Sequence, residues 1–182
     1  MATGAKENTT KIPDTISSHP PSMPADVRAG QVIGLVEMTG GLGSPIDVAE
    51  LAEEFGFNIA TLLPIIDAGE MLGLVRVVKG QVSLTEFGLK FQKLAKHKVA
   101  LLKDQLSRIE PFKTALELAS NKKGGVSARD IAETLEKRDI RWHHTPEHNE
   151  ILIQELLIHW AIYAGLLTYN GKNGKFQKFP SK

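Results

Sequence analysis

The sequence predicts a mainly α-helical protein with small β-hairpins, an α+β fold in which one block of elements occurs twice. Three observations predict it. Apolar residues recur at helical spacing over much of the chain from Asp26 to Gly165. Paired β-prone runs, split by glycine-containing turns, follow the helical segments at 74–84 and again at 166–179. A Ser with an acid three residues later opens a helix in each block, at Ser44 and at Ser127.

The 182 residues suffice for one domain or two small ones. With 42% hydrophobic residues but only 6% aromatic, the core must be mostly aliphatic. There is no cysteine, which excludes a disulfide framework, a thiolate nucleophile and a thiolate metal site, and fits a reducing cytoplasm. Lys and Arg number 22 against 21 Asp and Glu, so the net charge is only +1. Met1 to Ala25 holds no apolar run of the kind a signal peptide needs. The most apolar stretch, Ile151 to Leu167, is interrupted by Gln154, Glu155 and His159 and falls short of the ~20 residues of a membrane span. A soluble cytoplasmic protein is expected.

Residues 1–24 hold Pro13, Pro20, Pro21 and Pro24 among polar residues, so a disordered tail is expected. The first unit spans 25–88. Val27, Val32, Leu35, Val36 and Met38 mark a first helix, ended by Gly40, Gly41 and Gly43. Ser44-Pro45-Ile46-Asp47 supplies a cap, a proline at the first helical position and an acid at the third, for a helix running to Phe55. Asn58 caps a third helix, in which Pro64 predicts a bend or a later start. Leu74–Val78 and Val82–Leu84 form a hairpin around Lys79-Gly80-Gln81, and Thr85 caps the next helix. This is the order of a winged helix-turn-helix, with the second and third helices as the helix-turn-helix pair.

Residues 89–122 read as a long helical connector, broken near Pro111. A second winged-helix-like unit follows over 123–182. Ser127-Ala128-Arg129-Asp130 caps one helix and Thr145-Pro146 opens a longer one that ends near Gly165. Leu166–Tyr169 and Lys175–Phe179 flank a turn-rich loop. The repetition lies in element order rather than in residue identity.

Several segments, in this order, resemble the AAA-associated C-terminal domain family. They are Val27-Arg28-Ala29-Gly30-Gln31-Val32-Ile33-Gly34-Leu35, Leu51-Ala52-Glu53-Glu54, Leu62-Leu63-Pro64-Ile65-Ile66-Asp67-Ala68, Leu72-Gly73-Leu74, Leu84-Thr85-Glu86-Phe87-Gly88 and Trp160-Ala161-Ile162-Tyr163-Ala164-Gly165-Leu166 with Tyr169. The resemblance covers roughly Met23 to Phe179. It implies an accessory domain of the kind appended to the ATPase subunits of nitrate-, sulfonate- and bicarbonate-type ABC importers. A P-loop needs G-x-x-x-x-G-K-[ST] to cradle phosphate, and Gly40-Gly41-Leu42-Gly43-Ser44 has no lysine. Nucleotide hydrolysis is therefore not implied, and a non-catalytic chain without a cofactor is expected.

Charge is segregated along the chain although the net is near zero. A recognition helix in the major groove normally presents Arg, Lys, Asn or Gln to DNA. The candidates, Asn58–Leu72 and Pro146–Gly165, contain no Lys or Arg and carry Asp67, Glu70, Glu147, Glu150 and Glu155. The bases lie elsewhere: Lys90, Lys93, Lys96 and Lys103 on the connector, Arg76 and Lys79 on the first hairpin, and Lys172 and Lys175 on the second. Their plain reading is a solvated face plus a mobile tail. The functional readings are docking on a protein partner such as an importer ATPase, self-association into a homodimer, or, as the disfavoured alternative, wing and connector contacts to DNA phosphate in a transcriptional regulator. His143, His144 and His148 show no convergence toward a metal, which needs three or four ligands. His159 reads as a core-edge histidine with a satisfied hydrogen bond. Trp142, Trp160, Tyr163 and Tyr169 read as core or dimer-seam aromatics, with a small-effector pocket as the lesser option.

Overall fold

The structure, a computed structural model, describes residues 22–94 and 98–180. The expected tail falls largely outside that range, and so does Lys96. A first block comprises α1 (Ala29–Leu42), β1 (Ile46–Asp47), α2 (Val48–Phe55), α3 (Ile59–Met71), β2 (Val75–Val78) and β3 (Gln81–Leu84). Two short helices follow, α4 (Glu86–Lys93) and α5 (Lys98–Leu106). A second block comprises α6 (Phe112–Asn121), β4 (Val126–Ser127), α7 (Ala128–Glu136), α8 (Pro146–Leu156), β5 (Leu167–Asn170) and β6 (Lys175–Lys178). The fold is mixed α+β with two small antiparallel sheets, of strand order β1-β3-β2 and β4-β6-β5. The element order of the first block is thus repeated in the second. The helix α6, which the sequence groups with the connector, packs on β6, α7 and β4.

Local chemistry explains most element boundaries. Asn58 Oδ1 accepts the Thr61 N–H at 2.8 Å and opens α3. That helix continues through Pro64, although a proline there has no N–H to bond the carbonyl of Ala60. Ser127 and Asp130 form a reciprocal capping box on α7: Ser127 Oγ accepts from Asp130 N, and Asp130 Oδ2 accepts from Ser127 N. Thr85 Oγ1 accepts from Gly88 N and donates to the Gly73 carbonyl, tying α4 to the end of α3. Gly88 packs directly on the Leu74 carbonyl, so any Cβ there would collide with backbone. Pro146 occupies the first turn of α8, where a missing N–H costs nothing.

Two expectations are corrected. Gly40 and Gly41 do not end α1; they continue its last turn, and Gly43 at φ +97° ends it. Ser44 does not cap α2. Its hydroxyl accepts the Leu84 N–H at 3.1 Å, Ile46 and Asp47 pair with Val82 and Gln81 as a short strand, and Asp47 supplies the cap to Ala49 N. The buried Ile46 side chain explains this, since it fills the sheet rather than a helix face.

The apolar side chains of both blocks join in one core. Val32, Leu35, Leu62, Ile66, Leu72 and Val82 fill the first part, and Phe112, Ile131, Leu135, Ile153, Trp160 and Phe176 the second. Each such burial contributes roughly 1.5–3 kcal/mol before entropy is counted. The residues ahead of α1 belong to both parts. Met23 and Val27 are buried, Trp142 Nε1 donates to the Met23 carbonyl at 2.9 Å, and Trp160 Nε1 donates to the Val27 carbonyl at 2.7 Å. Trp160 sits where α8 widens into a π-helical turn, Leu157–Ile162.

Candidate interaction surface

The outward face of α3 is apolar and acidic. Ile59 and Leu63, one helical turn apart, are 46% and 44% exposed, and Phe57 in the preceding turn is 36% exposed and stacks on Phe55. Asp67 and Glu70 extend the stripe, and Glu53 and Glu54 stand exposed at the end of α2. Glu70 also accepts the Val77 N–H of edge strand β2 at 2.7 Å. None of Asp47, Glu50, Glu53, Glu54, Asp67 or Glu70 takes part in an ion pair among the described residues. Partial burial, and then the neighbouring Glu70 charge, raise the Asp67 carboxyl above the ordinary carboxylate value.

The corresponding face of α8 carries Glu147, Ile151 and Glu155 at successive turns, with Ile151 52% exposed. Here the surrounding charges are bridged. Arg129 lies 3.7 Å from Glu133 and 3.9 Å from Glu150, and Arg141 lies 3.6 Å from Asp139. Arg138 reaches Glu117 at 3.1 Å, Glu110 at 3.5 Å and the hydroxyl of buried Thr114 at 2.8 Å. Asp130 is held below the ordinary carboxylate value, above all by the Ser127 backbone N–H; burial opposes this, and the Lys122 ammonium at 3.1 Å and the Ser127 hydroxyl add to the lowering.

The basic residues fall in separate places. Arg76 and Lys79 line a shallow groove of about 260 Å³ on the first hairpin with Pro45, Val78, Gln81 and Ser83, and Arg76 donates to Ser83. Lys90 and Lys93 lie exposed on α4 beside Leu89, which is 43% exposed. Lys103 lines a groove of about 440 Å³ with Lys178, its Nζ 5.9 Å from the Phe179 ring centroid. Lys172 and Lys175 belong to the second hairpin, where Asn170 and Asn173 accept their backbone N–H groups. Lys98, absent from the sequence-derived candidates, pairs with Glu37 at 2.6 Å.

Among the described residues no three or more His, Asp or Glu side chains are grouped as they would be to hold a metal ion. The rings of His143 and His148 lie 4.8 Å apart, and His143 Nδ1 accepts the Thr145 N–H just ahead of α8. For His159 the expected satisfied hydrogen bond is corrected: its Nδ1 is buried in the π-helical turn with no partner among the described residues. Trp142 borders a cleft of about 350 Å³ with Ser22, Met71, Ile109 and Ile140, while Trp160 is fully buried. The hub at Arg138 and the carbonyls of Met23 and Val27 carry no local sequence signal, because each depends on residues far away in the chain.

Fold and surface together define a small mixed α+β protein whose exposed apolar and charged residues are spread over its outer faces. The family model described as the C-terminal AAA-associated domain matches residues 49–170, about two thirds of the chain. The protein belongs to that family. No curated protein and no solved structure matches it. No helix among the described residues is long and apolar enough to cross a membrane.

Proposed function

We propose that the protein is a non-catalytic regulatory module of two winged-helix units that works by docking on protein surfaces, as an accessory of the ABC-importer ATPase kind. The winged-helix reading is supported by the order helix, strand, two helices, hairpin, and by strand order β1-β3-β2 and its repeat β4-β6-β5. One observation carries the functional reading. The outward faces of α3 and α8, which would enter a DNA groove in such a fold, present Ile59, Leu63 and Ile151 among carboxylates and offer no Lys or Arg. Phosphate neutralisation supplies most non-specific DNA affinity, and carboxylates at the contact repel the backbone. Exposed aliphatics ringed by charge suit a protein surface better.

The second reading, a DNA-binding regulator, draws on Arg76 and Lys79 on one hairpin, Lys172 and Lys175 on the other, and Lys90, Lys93 and Lys103 between them. Fluorescence anisotropy against a mixed pool of duplex DNA at low and physiological salt separates the two. The docking reading expects no binding, or binding lost on adding salt. Tight binding that survives physiological salt would replace it with the regulator.

A further inference from the structure

The exposed apolar residues of α3 and of α4 face opposite kinds of charge. Exposed Ile59 and Leu63 of α3 and Phe57 of the turn before it accompany Glu53 and Glu54 at the end of α2 and Asp67 on α3, and none of these acids has a cationic partner among the described residues. On α4, exposed Leu89 is accompanied by exposed Lys90 and Lys93, which have no anionic partner among the described residues, and α5 adds Val99, 40% exposed, and Lys103, which has no ion pair among them either. Each face has what the other lacks. Neither satisfies the other within one chain.

We propose that the α2–α3 face of one copy docks on the α4–α5 face of a second copy, a self-association that rests on the docking reading above and names its partner. Ile59 and Leu63 supply apolar contact against Leu89 and Val99, and Glu53, Glu54 and Asp67 meet Lys90, Lys93 and Lys103. Raising the Asp67 carboxyl by partial burial beside Glu70 fits a carboxylate that awaits a cation, since an ammonium at that place reverses the shift. The contact joins two different faces, so it closes as a two-fold pair if both contacts form at once and otherwise extends as an open chain. The charges set orientation and salt dependence, and the exposed apolar side chains hold the contact once water is expelled.

The test is sedimentation velocity on the full chain from about 1 to about 100 μM, the range of a modest interface, at low and high salt. Association that strengthens with concentration and weakens with salt is expected. Two variants, Glu53→Lys with Glu54→Lys, and Lys90→Glu with Lys93→Glu, should each weaken association about tenfold or more. Mixed together they should associate again, because the reversed acidic face of one now fits the reversed basic face of the other. All four positions are exposed, and circular dichroism checks that the variants remain folded. A wild-type chain that stays monomeric throughout, or reversed variants that fail to complement each other while folded, overturns the proposal. The anisotropy measurement above is then read separately. A monomer that ignores DNA leaves the docking reading in place with a different protein as partner, whereas a monomer that binds DNA at physiological salt overturns both.

Discussion

The two blocks share an element order and a strand order but treat their charges in opposite ways. In the second, Arg138 gathers Glu110, Glu117 and the Thr114 hydroxyl, Arg129 spans Glu133 and Glu150, and Lys122 meets Asp130. In the first, six acids between Asp47 and Glu70 stand without one ion pair among the described residues, next to exposed Phe57, Ile59 and Leu63. The second block thus bridges much of its charge, although Glu136, Glu147 and Glu155 also lack an ion pair among the described residues, while the first leaves all six of these acids unbridged. Exposed ion pairs add little stability, with a median of about 0–1 kcal/mol, so the difference concerns what each surface meets more than how firmly it folds.

The largest perturbation strikes what the blocks share. Trp160→Ala removes a fully buried side chain and strips the Val27 carbonyl of its donor, and it should cost about 3–5 kcal/mol by urea unfolding. Next comes the second block. Arg138→Ala leaves the buried Thr114 hydroxyl without its partner and should cost about 1–3 kcal/mol. The matching change in the first block, Glu53→Gln with Glu54→Gln, should stay within about 0.5 kcal/mol, since neither carboxylate is bonded to anything described. Equal losses from the two would erase the contrast.

The smallest effects carry opposite signs. Asp67 sits above the ordinary 3.8 in the fold, so the folded state binds its proton more readily than the unfolded chain does. Its contribution to stability therefore improves as pH falls through its folded value toward 3.8, and Asp67→Asn should be slightly stabilising at neutral pH. Asp130 sits below 3.8, so its contribution is present above that value and is lost as pH falls through the lower folded one. Asp130→Asn should be destabilising at neutral pH and close to neutral in acid. Thermal melts of the two variants between about pH 3 and pH 7 compare them directly, and slopes of the same sign would contradict the division between the blocks.

What was legible in the sequence was local. Asn58, Thr85 and Ser127 were readable as caps because a cap bonds within three residues of itself, and the hairpin at Lys79-Gly80 because its turn and its flanking β-branched residues adjoin. Ser44 misled for the same reason. Its spacing fits a cap, but Leu84, far along the chain, claims its hydroxyl, and a strand as short as Ile46–Asp47 shows no alternation to warn of it. Charge segregation could be read directly, whereas which charges are satisfied could not. Lys98 meets Glu37 and Arg138 meets Glu110 only after the helices have packed. The sequence divides the candidate bases between two hairpins and one connector, but it does not show that the stretch carrying Lys90, Lys93 and Lys103 separates into two short helices, α4 and α5.

The two indole bonds to the segment ahead of α1 have a thermodynamic consequence. Met23 and Val27 lead directly into a helix of the first block, but their carbonyls are held by Trp142 and Trp160 of the second. Neither block can melt without releasing that segment, and its release deprives the other block of buried apolar contacts. Heat should therefore unfold the pair in one cooperative transition, with equal calorimetric and van't Hoff enthalpies. Amide protons in α3 and in α8 should exchange through the same global opening. The expected cooperative unit is the whole folded chain, and it begins upstream of residues 49–170, the stretch matched by the family model.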